Sequence, residues 1–185
     1  TSGPDASTPK PITQFLASHP AAKTFVETPK PAPVSFATQP FYGVNAFKFT
    51  NKDGEVRYGR YQIIPVNGPE YLTDEQRAAA GKDYLFEELP KRLEQSQVEF
   101  ALGLQIADKD DALNDPTVVW PETRQIIKLG TISLDTVDAN GEQFAKQTMF
   151  NPLALTDGIE ASDDPILLAR PSAYAISFGR RISGQ

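Results

Sequence analysis

The chain has no cysteine, and only one histidine, one methionine and one tryptophan among its 185 residues. Without thiols it can form neither disulfides nor thiolate metal sites. The lone histidine, His19, sits in Ala-Ser-His-Pro with no partnered acid, so it reads as a helix-end or surface residue. P-loop, G-x-G-x-x-G, H-E-x-x-H and G-x-S-x-G patterns are all missing, which leaves nucleotide cradles, zinc hydrolysis and serine nucleophiles without support. No apolar run approaches the roughly 20 residues that a membrane helix needs. Positive charge is scarce: 18 Lys and Arg face 24 Asp and Glu, giving a net charge of −6. With a sequence pI near 4.8, the chain repels phosphate backbones, and a nucleic-acid partner is not expected. Nothing reads as a signal peptide, and the composition suits a cytoplasmic or a periplasmic setting alike. The opening Thr-Ser-Gly-Pro-Asp has neither an initiator Met nor a leader and reads as cut from something longer.

What is present suits a folded domain. Hydrophobic residues make up 39% and aromatic residues 10%, enough for one domain with a real core. Residues 1–11 and 28–33 are rich in Pro, Ser and Lys and read as extended connectors. Between them, Ile12–His19 and Ala21–Val26 suit short helices broken at Pro20. The pattern then switches to period two. Val44–Thr50, the turn Asn51-Lys-Asp-Gly54 and Val56–Val66 form a β-hairpin. Thr73-Asp-Glu-Gln76 has the form of a capping box opening a helix through Ala80. A second helix is expected over Tyr84–Gln95, with Tyr84, Leu85, Leu89 and Leu93 on its apolar side and Pro90 as a possible break. Val98–Ala107 and Ile126–Val137 are strands joined by a polar, Asp-rich loop. Within that loop Asp108, Asp110, Asp111 and Asp115 cluster, but their spacing misses a calcium loop and suits a solvated turn. The tail from Pro165 to Phe178 reads as a helix capped by Ser162 or Asp163 and kinked at Pro171. The sum is an α+β fold on an antiparallel sheet.

The most informative stretch lies in that tail helix. Arg170 precedes Tyr174 by four residues, which stacks the two side chains on one helix face. A cation beside a phenol favours the phenolate, a hard donor for ferric iron. Phe150-Asn-Pro152 and Asp157-Gly-Ile-Glu-Ala-Ser-Asp-Asp164 lie upstream, and Arg181 lies seven residues beyond the tyrosine. In this order the run resembles the proximal haem segment of the haem catalases, and more closely that of the shorter catalase-related peroxidases. Tyr42-Gly-Val-Asn-Ala-Phe-Lys-Phe49 is similar to the strand opening the second half of the catalase barrel. Pro116-Thr-Val-Val-Trp-Pro121 and Leu129-Gly-Thr-Ile-Ser-Leu134 are similar to its wrapping-loop tryptophan and its last barrel strand. The likeness runs from Pro11 to Arg181.

The resemblance implies a haem b site with Tyr174 as axial iron ligand. Arg170 would bond the phenolate oxygen, Arg181 would meet a haem propionate, and Phe150 would pack on the porphyrin. It implies one region over 1–185: a connector at 1–33, barrel strands with a helical insertion at 42–137, and the proximal haem segment at 150–181. It also implies the second half of an antiparallel β-barrel, whose open edges must be met by a missing N-terminal half, another chain or a second copy, so self-association is expected. The family's distal histidine segment, of the form Arg-x-x-His-Ala-Lys-Gly, has no counterpart here. The expected function is therefore that of a catalase-related peroxidase acting on hydrogen peroxide or organic hydroperoxides, with this chain supplying the proximal side and inactive alone. Two alternatives stand beside it: a non-catalytic haem-binding or structural fragment, and a relative that converts fatty-acid hydroperoxides, as the catalase-like allene oxide synthases do. After Tyr174 the chain reads Ala-Ile-Ser-Phe-Gly-Arg-Arg181, where the large catalases carry a Pro-Asp-Thr-His stretch. That departure favours the peroxidase branch.

Overall fold

The structure is a computed structural model that describes residues 11–184. The connector expected over the first residues lies outside that range, and Pro11 already opens a helix. The chain divides into two compact units, Thr1–Pro31 and Ala32–Gln185. In the first, α1 (Pro11–Ser18) and α2 (Pro20–Glu27) meet at His19. Pro20 cannot continue α1 but suits the first turn of α2, where its missing N–H costs nothing. His19 stacks on Phe15 at 4.0 Å and hydrogen-bonds the Phe15 carbonyl at 2.8 Å through Nδ1. It is the helix-end residue that its sequence context suggests.

The second unit is built on a six-stranded antiparallel sheet. Its strands are β1 (Phe41–Tyr42), β2 (Phe47–Thr50), β3 (Val56–Pro65), β4 (Val98–Ile106), β5 (Ile126–Leu134) and β6 (Ile159–Ala161). They lie in the order β5-β4-β3-β2-β6, with β1 added to β3. The hairpin of β2 and β3 and the pairing of β4 with β5 follow the expected period-two runs. The register places Phe47, Phe49, Tyr61, Ile63, Leu104 and Phe100 on one face. Tyr61 meets Phe47 and Phe49, each at 5.8 Å between ring centroids. Arg60, Gln62 and Gln105 take the opposite, polar face. Gly59 lies on the apolar face, where a Cβ would stand 2.6 Å from Leu104 Cγ, so glycine fits there.

Helix α3 (Asp74–Ala79) starts at the expected capping box: Thr73 Oγ1 accepts from Gln76 N at 3.2 Å, and the Gln76 side chain accepts from Thr73 N at 2.9 Å. Helix α4 (Tyr84–Leu93) packs Leu89 and Leu93 against the core of Ala37, Val98 and Phe100. Pro90 does not break it. The carbonyl that loses its donor belongs to exposed Phe86, where water can replace it.

Two expectations about the strands need correction. The ladder does not run unbroken through Val44–Ala46; it stops after Tyr42 and resumes at Phe47, because buried Asn45 and Ala46 leave the sheet for other contacts. Leu129–Leu134 is not the last strand, since β6 returns to pair with β2 through Phe47↔Ala161 and Phe49↔Ile159. That return depends on Gly158, whose φ of +81° belongs to glycine and whose carbonyl accepts from Thr50 N at 2.8 Å. The sheet is open, with β5 and β6 at its two edges. Finally, a short helix α5 (Gly141–Gln147) precedes Phe150 where the sequence shows no clear signal.

The tail helix, α6 (Pro165–Ser183), is longer than expected and runs through Pro171 as one element. Its cap is neither Ser162 nor Asp163 but Asp164. The Asp164 carboxylate accepts from Ile166 N at 2.8 Å and Leu167 N at 3.3 Å. Fully buried Leu167 anchors the first turns. Arg181 anchors the last by donating to the Thr148 carbonyl at 2.9 Å. With both ends fixed, loss of one backbone donor at Pro171 does not end the helix.

Candidate functional site

Helix α6 delivers the Arg170–Tyr174 pair as the spacing requires. Arg170 Nε donates to the phenolic oxygen at 3.1 Å, and Nη2 makes a second, short bond to the same atom. One phenolic oxygen thus accepts two N–H groups of a single guanidinium. The third arm of Arg170 reaches across the fold: Nη1 donates to Asn45 Oδ1 at 2.9 Å. Asn45 Nδ2 in turn donates to Asp164 Oδ2 at 2.7 Å. Asn45 is 6% exposed and Asp164 is 1% exposed.

This chain of contacts has a defined polarity. A carboxylate only accepts and a guanidinium only donates, so a single orientation of the Asn45 amide satisfies both neighbours. Asp164 thus does two things at once, capping α6 and fixing the residue that aims Arg170. The sheet break at residues 43–46 is what brings Asn45 there; Gly43 N donates to Tyr61 O at 2.7 Å as the chain turns off the ladder.

Tyr174 is half-buried and opens on a groove that it shares with Met149, Phe150, Ser177 and Arg181. An adjoining groove is lined by Met149, Phe150, Pro152, Arg170 and Tyr174. Phe150 is 65% exposed, so it is not a core residue; its ring is free to meet a flat apolar partner. Arg181 lies at the far end, held by Ser177 Oγ at 3.1 Å and the Thr148 carbonyl. All four residues singled out in the sequence therefore border one surface. Asn45 and Asp164 were missed. Asp-Pro at a helix start signals Asp164 as a cap, whereas no local pattern marks Asn45.

The acidic loop is held by two arginines, Arg124 within it and Arg60 on β3. Arg124 bonds Asp111 at 2.8 and 3.1 Å and Asp108 at 3.3 Å. The Arg124 hydrogen bond holds the Asp111 carboxyl below the usual carboxylate range. Asp115 is lowered chiefly by the Thr117 hydroxyl. Buried Arg60 gathers the loop by donating to Val118 O at 2.7 Å, Asp115 O at 3.2 Å and Ala112 O at 3.4 Å. Its guanidinium lies 4.1 Å from the Trp120 ring centroid. Burial pulls Arg60 below the usual arginine range, opposed by Asp111, Asp164 and Asp115. Among the described residues no group of three or more His, Asp or Glu side chains converges as a metal site.

The sheet order and the long terminal helix define a catalase-like fold. A solved bacterial catalase superposes on 91% of this chain and 36% of its own, with a TM-score of 0.78 and 24% identity. Catalase A from Saccharomyces cerevisiae matches 80% of the chain and 33% of its own, at a TM-score of 0.71 and 25% identity. A sequence model of the family described as Catalase matches residues 10–185. The chain belongs to the catalase family. A catalase-related peroxidase of Synechococcus elongatus is 33% identical over 98% of the chain and 55% of its own length. Another, from Mycolicibacterium paratuberculosis, is 34% identical over 96% of the chain and 58% of its own. The chain therefore spans about half the length of these curated relatives.

Proposed function

We propose that this chain forms the proximal side of the haem b site of a catalase-related peroxidase that reduces hydrogen peroxide or organic hydroperoxides. The observation carrying the reading is the phenol of Tyr174, held by two donors from Arg170 and opening on a groove bordered by Phe150 and Arg181. These residues fit a haem. Tyr174 would supply the axial oxygen, Phe150 an exposed apolar wall, and Arg181 a cation for a propionate. When bound, haem iron supplies the redox chemistry that cleaves the peroxide bond.

The chain's own part is to hold a charge in place. Arg170 keeps its donors on the ligand oxygen, and Asn45 and Asp164 keep Arg170 aimed. Proton transfer to peroxide falls to other groups, since His19 is occupied by its own helix. General acid–base help of that kind is worth about 10²–10⁴-fold, so the chain alone is expected to bind haem with little turnover. Completion of the open sheet into a barrel along β5, by further sequence or by another chain, fits the same reading.

Haem titration tests it, on the chain alone and joined to the part of the Synechococcus elongatus relative that it does not cover. A Soret band that is present in wild type and lost or shifted in Tyr174→Phe is expected. Absence of haem uptake by the joined protein, or an unchanged spectrum in Tyr174→Phe, sinks the assignment.

A further inference from the structure

The groove beside Tyr174 contains the chain's only methionine, in a protein with no cysteine. Met149 is 38% exposed and lines both grooves that the tyrosine borders. The backbone around it is pinned. Arg181 holds the Thr148 carbonyl at 2.9 Å, and Asn151 Oδ1 accepts from Leu153 N at 2.9 Å. Met149 is therefore a partly exposed residue on a fixed support, lining one groove with Phe150 and Tyr174. Trp120, another oxidisable side chain, is 3% exposed and donates to the Ala112 carbonyl at 2.9 Å.

From this placement we propose that Met149 is a peroxide-modification site that controls haem loading. The inference rests on the groove being the haem face described above. In the haem-free chain, a sulfur lone pair attacks one peroxide oxygen. The S–O bond forms as the O–O bond breaks, and the other oxygen leaves as water or, from an organic hydroperoxide, as the alcohol. Sulfur loses two electrons and the peroxide gains them, so no further oxidant is needed. The product sulfoxide replaces an apolar, flexible contact with a strongly polar one. Its oxygen shares the groove with Ser177 and Arg181, two donors that would favour it over a porphyrin. Haem already in place covers the same thioether. Peroxide thus marks chains that lack haem and excludes them from loading until a methionine sulfoxide reductase restores the sulfur.

The test uses the full chain and two separate readouts. Peroxide treatment of the haem-free protein, followed by intact mass and peptide mapping, is expected to add one oxygen at Met149. The rate should lie within about threefold of that of an exposed methionine in a short peptide. Haem titration of the oxidised protein is then expected to show affinity at least about tenfold weaker than before treatment, because haem must take the sulfoxide away from its donors. Met149→Leu should show the same haem affinity before and after peroxide. Redox-inert gallium protoporphyrin, bound first, should slow oxidation of Met149 by about tenfold or more. No oxygen at Met149, or equal haem affinity of oxidised and untreated wild type, overturns the proposal. Failure of the untreated chain, joined to the part of the Synechococcus elongatus relative that it does not cover, to take up any porphyrin overturns the haem reading and the loading control together, while the mass readout still decides whether Met149 is modified.

Discussion

Replacing Asp164 by alanine should be among the costliest single changes in the second unit, and its neighbour Asp163 provides the control. Asp164 Oδ1 satisfies two backbone donors at the start of α6, and Oδ2 satisfies Asn45 Nδ2. Loss of a helix cap costs about 1 kcal/mol. Leaving the Asn45 amide buried without its acceptor costs about another 1–3 kcal/mol. Together these give roughly 3 kcal/mol, or a melting temperature lower by about 6–12 °C for a domain of this size. Asp163 is exposed, so Asp163→Ala should stay within about 0.5 kcal/mol of wild type. Urea unfolding followed by circular dichroism measures both.

Asp164→Asn separates the two roles of the carboxylate. An asparagine still offers an oxygen to Ile166 N and Leu167 N, but its NH₂ then faces the NH₂ of Asn45. Relieving that conflict by turning Asn45 over would aim its NH₂ at Arg170, which has only donors. The variant should keep most of the cap, lose about 1–2 kcal/mol at Asn45, and loosen Arg170 from the phenol. Near-wild-type stability of Asp164→Ala, or a cost no larger than that of Asp163→Ala, would refute the argument that one carboxylate holds both the helix start and the arginine.

Gly158→Ala should destabilise the second unit by about 1–3 kcal/mol, since its φ is +81° and a Cβ would meet Thr50 O at 2.9 Å; Gly54→Ala, with the same φ and open space, should cost less in the same urea assay. Arg60→Ala removes three carbonyl contacts and the stacking on Trp120, so a loss of about 2–3 kcal/mol and a red shift of the single tryptophan's emission are expected. Asp111 is more acidic in the folded chain than in the unfolded one. Its contribution is therefore fully present above about pH 4, the unfolded carboxylate value, and is lost as pH falls through the folded value. Asp111→Asn should flatten that part of the stability profile, read as urea midpoints between pH 3 and pH 6.

The division between what the sequence displays and what only the fold reveals follows the range of each interaction. Thr73 to Gln76 and Arg170 to Tyr174 are contacts three and four residues apart, set by helix geometry alone, and their residue types announce them. The β2–β3 hairpin is legible because alternation and an Asn-Lys-Asp-Gly turn are likewise local. Asn45 is different. It lies 119 residues from Asp164 and 125 from Arg170, inside a stretch whose alternation reads as continuous strand. Its value comes from a neutral amide that accepts on one side and donates on the other, a property that no spacing encodes. β6 was hidden for a related reason. Three residues are too few to show a period, and the strand is set by Gly158 and by the β2 edge it meets. Both misses concern the means by which the tail helix is tied to the sheet, so local patterns name the Arg170–Tyr174 pair while the long-range contacts decide how firmly it is held. If that is the right division of labour, Asn45→Ala should leave the strands intact and yet free Arg170 from its third anchor. The haem spectrum should then change more than the unfolding midpoint does, as expected for a residue that positions another.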